Sequence, residues 1–253
     1  MSVQIYKYNF PVIILSKPQL GRNIGSIARV MNNFCFQDLR IINPRDGWPN
    51  EEATATAVGA KNILENAKIF SSIESASNDI NLLFSVTVRS RDLNLREINI
   101  NEAIKKSISH NQEKSQSAFL FGPESSGLSN DEIVISDYTF SIPSNPEFNS
   151  LNLSHAVMVI CWEYYKNIFN NKSLSLKNNI KGKYQLASIK EKDFFFSKLN
   201  QMLDKSNFFH SREMNISIMK NMKVLFNRSS LTSQEINTLN GVIKSLFDYN
   251  NQA

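Results

Sequence analysis

Three stretches of this chain gather side chains of the kinds that position and stabilise a reacting polar group. The first is Asn23-Ile24-Gly25-Ser26-Ile27-Ala28-Arg29. On a helix, Ser26 and Arg29 share a face one turn apart, with Asn23 at its start. A guanidinium is a permanent cation with five N–H donors, suited to meeting a developing oxyanion rather than to removing a proton. The plainer explanation makes Asn23 a helix N-cap and Arg29 a surface charge. The second is Phe121-Gly122-Pro123-Glu124-Ser125-Ser126-Gly127-Leu128. Gly122 allows the backbone to approach a ligand closely and Gly127 allows a turn with positive φ, with the Glu124 carboxylate held between them. A Gly/Pro turn with no further role is the alternative. The third runs from Ile142 through Pro143, Ser144, Asn145, Pro146, Glu147, Phe148, Asn149, Ser150, Leu151 and Asn152 to Leu153 and Ser154, rich in hydroxyl and amide groups. Here the plainer explanation is that Ser150 or Asn152 starts the next helix.

Other chemistries lack their residues. No G-x-G-x-x-G follows the first apolar run, so an ordinary dinucleotide site is unsupported. Gly122 and Gly127 have P-loop spacing, but Leu128 stands where a P-loop requires Lys. His110, His155 and His210 are too scattered for a metal site, and no metal is expected. Cys35 and Cys161 are far apart without a C-x-x-C partner, which suits a reducing cytosol.

The elements that must position these stretches alternate along the first two thirds of the chain. Short apolar runs at residues 11–16, 39–42, 68–70, 82–87, 118–121 and 138–142 read as strands, with helical patterns between them. In the first helix Ile24, Ile27, Ala28, Met31 and Phe34 recur at spacings of three and four. Such alternation predicts an α/β fold, a mostly parallel sheet with helices on both faces. The three polar stretches then follow strands, where open α/β sheets tend to place ligand sites. Residues 153–165 (LSHAVMVICWEYY) form an apolar helix that must be buried against the sheet or a second subunit.

Residues 1–166 thus make one domain, 167–189 a polar linker, and 190–253 a small all-helical extension. The extension reads as amphipathic helices at 190–206, 213–227 and 233–249, the last capped around Thr232-Ser233-Gln234-Glu235. Residues 1–160 carry 14 basic and 16 acidic side chains, a balance of −2, whereas 161–253 carry 14 and 7, a balance of +7. A basic segment beside a near-neutral domain suits a polyanion, because Lys and Arg displace counterions from phosphates. The alternative is a solvated helical surface. No run approaches the roughly 18 apolar residues of a membrane span, and the opening MSVQIYKYNFPVIIL reads as a buried strand rather than a secretion signal. A cytoplasmic location without membrane contact is expected.

The order N-x-G-x-x-x-R, F-G-x-E-x-x-G-L and I-P…N-P…S-L-N-L-S resembles that of the SPOUT ribose methyltransferases over about residues 10–165. Within them the chain is most similar to the TrmJ (LasT-like) tRNA methyltransferases. Leu225-Phe226-Asn227-Arg228, Glu235-Ile236-Asn237 and Leu239-Asn240-Gly241 resemble the helical extension of that subgroup. The resemblance implies a C-terminal trefoil knot, a homodimer with the site completed across its interface, and S-adenosylmethionine as cofactor. It implies a cofactor pocket from Val86, Thr87, Val88, Gly122, Ile142, Asn149, Ser150 and Leu151. Arg29 would stand beside the reacting 2′-hydroxyl, Asn23 would position RNA or Arg29, and Glu124 would orient Arg29 or the motif loops. Ser150 and Asn152 would complete the catalytic site, while Arg29, Arg89, Arg91 and the basic tail would meet RNA.

Three departures bear on that pocket: Val86 and Val88 replace smaller or hydroxylated residues, Asn149 replaces a residue that is often Ser, and Cys35 occupies a helix-end position that is commonly Gly. The expected activity is 2′-O-methylation of a cytidine or uridine ribose at the start of a tRNA anticodon loop. The same chemistry on ribosomal RNA and a non-catalytic RNA-binding role are the alternatives.

Overall fold

Alternation of side chains along each strand decides the layers. The computed structural model describes residues 9–88, 96–112, 115–170 and 186–250. In β1 (Val12–Ser16), Ile13 and Leu15 enter one buried cluster while Val12 and Ile14 enter another, on the opposite face of the sheet. The chain continues through α1 (Gly21–Asn33), β2 (Leu39–Ile42), α2 (Glu51–Thr56), α3 (Lys61–Glu65), β3 (Lys68–Phe70, largely exposed at the sheet edge), α4 (Ile73–Ala76) and β4 (Leu82–Val86). Then come α5 (Ile100–Gln112), β5 (Ser117–Phe121), α6 (Asn130–Ile133), β6 (Tyr138–Phe140) and α7 (Leu153–Asn170). The strands form one six-stranded sheet, all pairs parallel, in the order β3-β2-β1-β5-β4-β6. The expected "mostly parallel" sheet is therefore entirely parallel among the described residues.

One face is covered by α1 and α7, which pack against each other, with α2, α3 and α5 around them. The apolar spacing of α1 does what its period predicts: Ile24, Ile27, Ala28 and Met31 are all buried. Gly25 is required for packing, since a Cβ there would lie 2.2 Å from the Ala53 carbonyl oxygen of α2. The helix closes with the Phe36 N–H donating to Met31 O at 2.9 Å and Cys35 at φ +66°, a conformation that costs a non-glycine residue about 1 kcal/mol.

The C-terminal part holds α8 (Ile189–Lys205), α9 (Arg212–Arg228) and α10 (Ser233–Asn250), packed around Phe195, Phe196, Met219 and Ile236. Thr232 and Glu235 cap α10 reciprocally: the Thr232 N–H donates to Glu235 (2.7 Å) and the Glu235 N–H to Thr232 Oγ1 (3.2 Å). These helices are fastened to the sheet domain. Ile189 belongs to the second sheet-face cluster, and its N–H donates to Ile80 O at 3.0 Å. Asn227 Nδ2 donates to Val134 O at 2.8 Å, and buried Lys192 pairs with buried Asp137. Asp137 also accepts the Leu83 N–H of β4 at 2.9 Å. Burial holds the nearby His110 below the usual imidazole pKa.

Some expected boundaries shift. The first helix begins at Gly21, so Asn23 lies in its first turn rather than at its N-cap; Leu20 holds that position without a side-chain cap. Strand β4 stops at Val86 and β6 at Phe140, because their ladder ends with that pair and the Thr87 N–H donating to Phe140 O at 3.0 Å. Arg89, Arg91 and linker residues 171–185 lie outside the described residues. No described helix is long and apolar enough to cross a membrane.

Candidate active site

The carboxyl ends of β4, β5 and β6 lie side by side, so the segments leaving them meet. They enclose a cavity of about 280 Å³, near the lower end for small-molecule sites. All eight residues expected to bind a cofactor line it: Val86, Thr87 and Val88 after β4, Gly122 after β5, then Ile142, Asn149, Ser150 and Leu151 before α7. Sequence reasoning missed Pro123, Ser125, Ser126, Leu153 and Ala156 on the same wall. Position beside Glu124 was the available signal for the two serines. The loop after β5 can fold this tightly because Gly122 has no Cβ; one there would lie 2.3 Å from the Leu128 nitrogen. Gly127, at φ +64°, then donates its N–H to Pro123 O at 2.8 Å.

Glu124 faces the start of α1. Its Oε2 accepts the Gln19 N–H at 2.7 Å, and its Oε1 accepts Asn23 Nδ2 at 2.8 Å and the Leu20 N–H at 3.3 Å. A carboxylate thereby satisfies donors at a helix N-terminus that has no acidic residue in its first turn. Asn23 passes the contact on: its Oδ1 accepts Asn152 Nδ2 at 3.2 Å. Asn152 Oδ1 accepts the Ser154 N–H at 2.8 Å and the Ser154 hydroxyl at 2.7 Å, capping α7. One polar chain, Glu124–Asn23–Asn152, therefore joins the three stretches that stood apart in sequence. The capping explanation for Asn152 is correct and incomplete, because the same side chain also holds Asn23.

Ser150 is exposed on the cavity wall. Arg29 is not on that wall: it lies on the exposed side of α1 in line with Arg22 and Ser26, without an ion pair among the described residues. The structure thus brings together Asn23, Glu124, Ser150 and Asn152 and leaves Arg29 apart from them in one chain. The cavity fits a flat apolar-faced ligand with polar edges. Val88 and Leu151, 42% and 38% exposed, are apolar side chains left uncovered at its rim, while Thr87, Ser125, Ser126 and Asn149 offer polar groups.

Residues 11–162 match the family model of SpoU rRNA methylases, and residues 190–252 match that of the tRNA methyltransferase TrmJ C-terminal domain. The chain is 34% identical to the tRNA (cytidine-2′-O-)-methyltransferase TrmJ of Methanocaldococcus jannaschii, over 92% of this chain and 97% of that protein. It is 30% identical to the tRNA (cytidine/uridine-2′-O-)-methyltransferase TrmJ of Pectobacterium atrosepticum, over 94% and 96%. The solved structure of TrmJ from Z. mobilis ZM4 superposes with a TM-score of 0.83 at 34% identity, covering 94% of this chain and 99% of that one.

Proposed function

We propose, since the chain belongs to the SpoU methylase family and carries a TrmJ C-terminal domain, that it methylates the ribose 2′-hydroxyl of a cytidine or uridine in the anticodon loop of tRNA. The observation that carries this reading is the cavity at the ends of β4, β5 and β6, with the Glu124–Asn23–Asn152 chain behind it. S-adenosylmethionine, when bound there, supplies an electrophilic methyl group. Val86, Val88, Ile142 and Leu151 then cover its apolar faces, and Thr87, Gly122, Asn149 and Ser150 meet its polar edges. What remains for the protein is alignment of the hydroxyl and stabilisation of the negative charge left on its oxygen as its proton passes to water.

In this reading Arg29 donates to the 2′-oxygen and Ser150 closes the site beside the transferred methyl. Asn23, Glu124 and Asn152 hold α1, the loop after β5 and α7 in register and so are positioning residues. Arg29 reaches a site when two chains assemble and RNA binds. The α7 face bearing Met158 and Trp162, 49% and 48% exposed with Phe34 edge-on to the indole, suits a homodimer interface. The C-terminal half of the sheet domain is then knotted as in SPOUT proteins, residues 1–166 and 190–253 act as methyltransferase and RNA-reading units, and Arg89 and Arg91 meet RNA. The enzyme works in the cytoplasm.

Labelled S-adenosylmethionine with unmodified tRNA and, separately, ribosomal RNA tests this. Label mapped to a 2′-oxygen of the tRNA anticodon loop is the expected result. Label only in ribosomal RNA would transfer the activity to that substrate. Cofactor-independent RNA binding without transfer would favour the non-catalytic role.

A further inference from the structure

Beyond the cavity, two cations crowd one aromatic ring at the outer edge of the sheet. Tyr138 begins the edge strand β6, and Phe84 of β4 stacks on it at 5.7 Å with the planes 24° apart. The Arg96 guanidinium lies 5.0 Å from the ring centroid and the Lys106 ammonium 5.2 Å, so the two charges are within about 10 Å of each other. Both residues are exposed, and neither has an ion-pair partner among the described residues. The carboxylate one turn before Lys106 is engaged elsewhere: Glu102 accepts the Asn99 N–H at the start of α5.

Arg96 also reaches the C-terminal helices. Its Nη1 donates to Arg228 O at the end of α9, at 3.4 Å, and Arg228 itself is an exposed cation in that last turn. Two neighbouring like charges repel unless an anion joins them, and Arg228, whose backbone meets Arg96, adds a third exposed cation to the same seam. Stacking on Tyr138 keeps the charge of Arg96 and Lys106 while limiting their freedom, which lowers the entropy lost on capturing an anion. The neighbouring Asn227–Val134 and Lys192–Asp137 contacts hold both sides of the seam in place.

We propose that Arg96, Lys106 and Arg228 form a phosphate-binding ridge across the seam between sheet edge and C-terminal helices, gripping the tRNA backbone away from the reacting ribose. This rests on the tRNA reading above and adds a second contact region to it. Tyr138 lies four residues before Ile142 of the cavity, or about 13 Å at strand rise. The ridge therefore reads no base and touches no reacting atom. It sets how strongly the RNA is held, and that hold weakens with salt.

The test is tRNA binding by the full chain against salt concentration, with cofactor binding measured by calorimetry as the control for folding. Lys106→Gln and Arg96→Gln are each expected to lower the slope of log affinity against log salt by about one, and the double variant by about two. S-adenosylmethionine affinity should stay unchanged. Lys106→Gln carries the decision, since among the described residues Lys106 makes no hydrogen bond or ion pair to α9. Wild-type slope in both variants, while wild-type protein binds tRNA, would overturn the ridge and leave the tRNA reading standing. Loss of affinity at unchanged slope would equally overturn it, since that marks a structural effect. Failure of the wild-type protein to bind tRNA would overturn both.

Discussion

Replacement of Glu124 separates two roles that a carboxylate at this site could have. Its oxygens accept from the Gln19 and Leu20 N–H groups and from Asn23 Nδ2, at 2.7, 3.3 and 2.8 Å. Hydrogen bonds to a charged group contribute about 1.5 to 3 kcal/mol net, against about 0.5 to 1.5 for neutral ones. A negative charge at a helix N-terminus adds roughly 0.3 to 1 kcal/mol. Glu124→Gln keeps one acceptor oxygen but turns an NH₂ group toward the remaining donors and removes the charge. The expected loss is about 2 kcal/mol, which lowers the melting temperature of a chain of this size by about 4 to 8 °C. Because Asn23 and Asn152 lie further along the same chain of contacts, methyl transfer should fall as well, with the pH dependence of kcat unchanged. A double-mutant cycle with Asn23→Ala should show coupling of about 0.5 to 3 kcal/mol. Thermal melting, amide exchange in the first turn of α1 and a pH–rate profile are the assays. An unchanged melting temperature with a collapsed kcat and an altered pH profile would refute the positioning role and make Glu124 a proton-transfer group.

Arg29→Ala should reduce methyl transfer by roughly 100- to 1,000-fold, as loss of one charge-stabilising donor does, while calorimetry finds S-adenosylmethionine affinity within a few-fold. Wild-type turnover would remove Arg29 from the mechanism. Lys192→Met leaves Asp137 buried and unpaired and should cost about 3 to 5 kcal/mol in denaturant unfolding; adding Asp137→Leu should recover much of that, as apolar replacement of whole buried pairs does. A double variant no more stable than the single one would show that Asp137 is held mainly by the Leu83 N–H. His110, depressed by burial first and by Lys192, with Asp137 opposing, binds its proton less readily folded than unfolded. The unfolded chain thus takes up more protons as pH drops below about 6.5, so stability falls there, and His110→Gln should flatten that part of the melting-temperature profile against pH. An identical profile in the variant would place the acid sensitivity elsewhere.

Local signals in the sequence were sufficient where the interacting residues are near neighbours. The Thr232–Glu235 cap is a four-residue pattern, and it forms as such. All six strands lie within two residues of the runs that mark them: five are buried parallel strands that read as short apolar runs, and β3, exposed at the sheet edge, keeps only an Ile-Phe pair. Helices α2, α3, α4 and α6, four to six residues each, were not singled out, since one turn is too short to show a period. The start of α1 precedes Asn23 for a different reason: the donors there are met by carboxylates far along the chain, Glu124 and Glu52, which no local pattern contains. Charge counting had a similar limit. The +7 balance of the last third includes Lys192, Lys220 and Lys223, which face Asp137, Asp131 and Asp193. The cations free to meet phosphate are therefore fewer than the count, and two that are well placed, Arg96 and Lys106, lie in the part that looked neutral.

The choice between helix capping and function, posed for each polar stretch, dissolves once the stretches are seen together. Asn152 caps α7 and holds Asn23; Glu124 caps α1 and holds the same Asn23 from the other side. A helix end offers unpaired N–H groups, and a strand end offers a loop that can supply their acceptor. In a parallel sheet all strand ends of one kind lie along one edge, so caps borrowed from neighbouring loops bind those loops to one another. The wall of the cavity is thus held in shape by the groups that terminate its helices. A substitution in this chain should accordingly lower stability and catalysis together, whereas one at Arg29 or Ser150, outside the capping contacts, should affect catalysis with the melting temperature unchanged. That division can be measured variant by variant, and it marks off the residues that hold the site from those that would act in it.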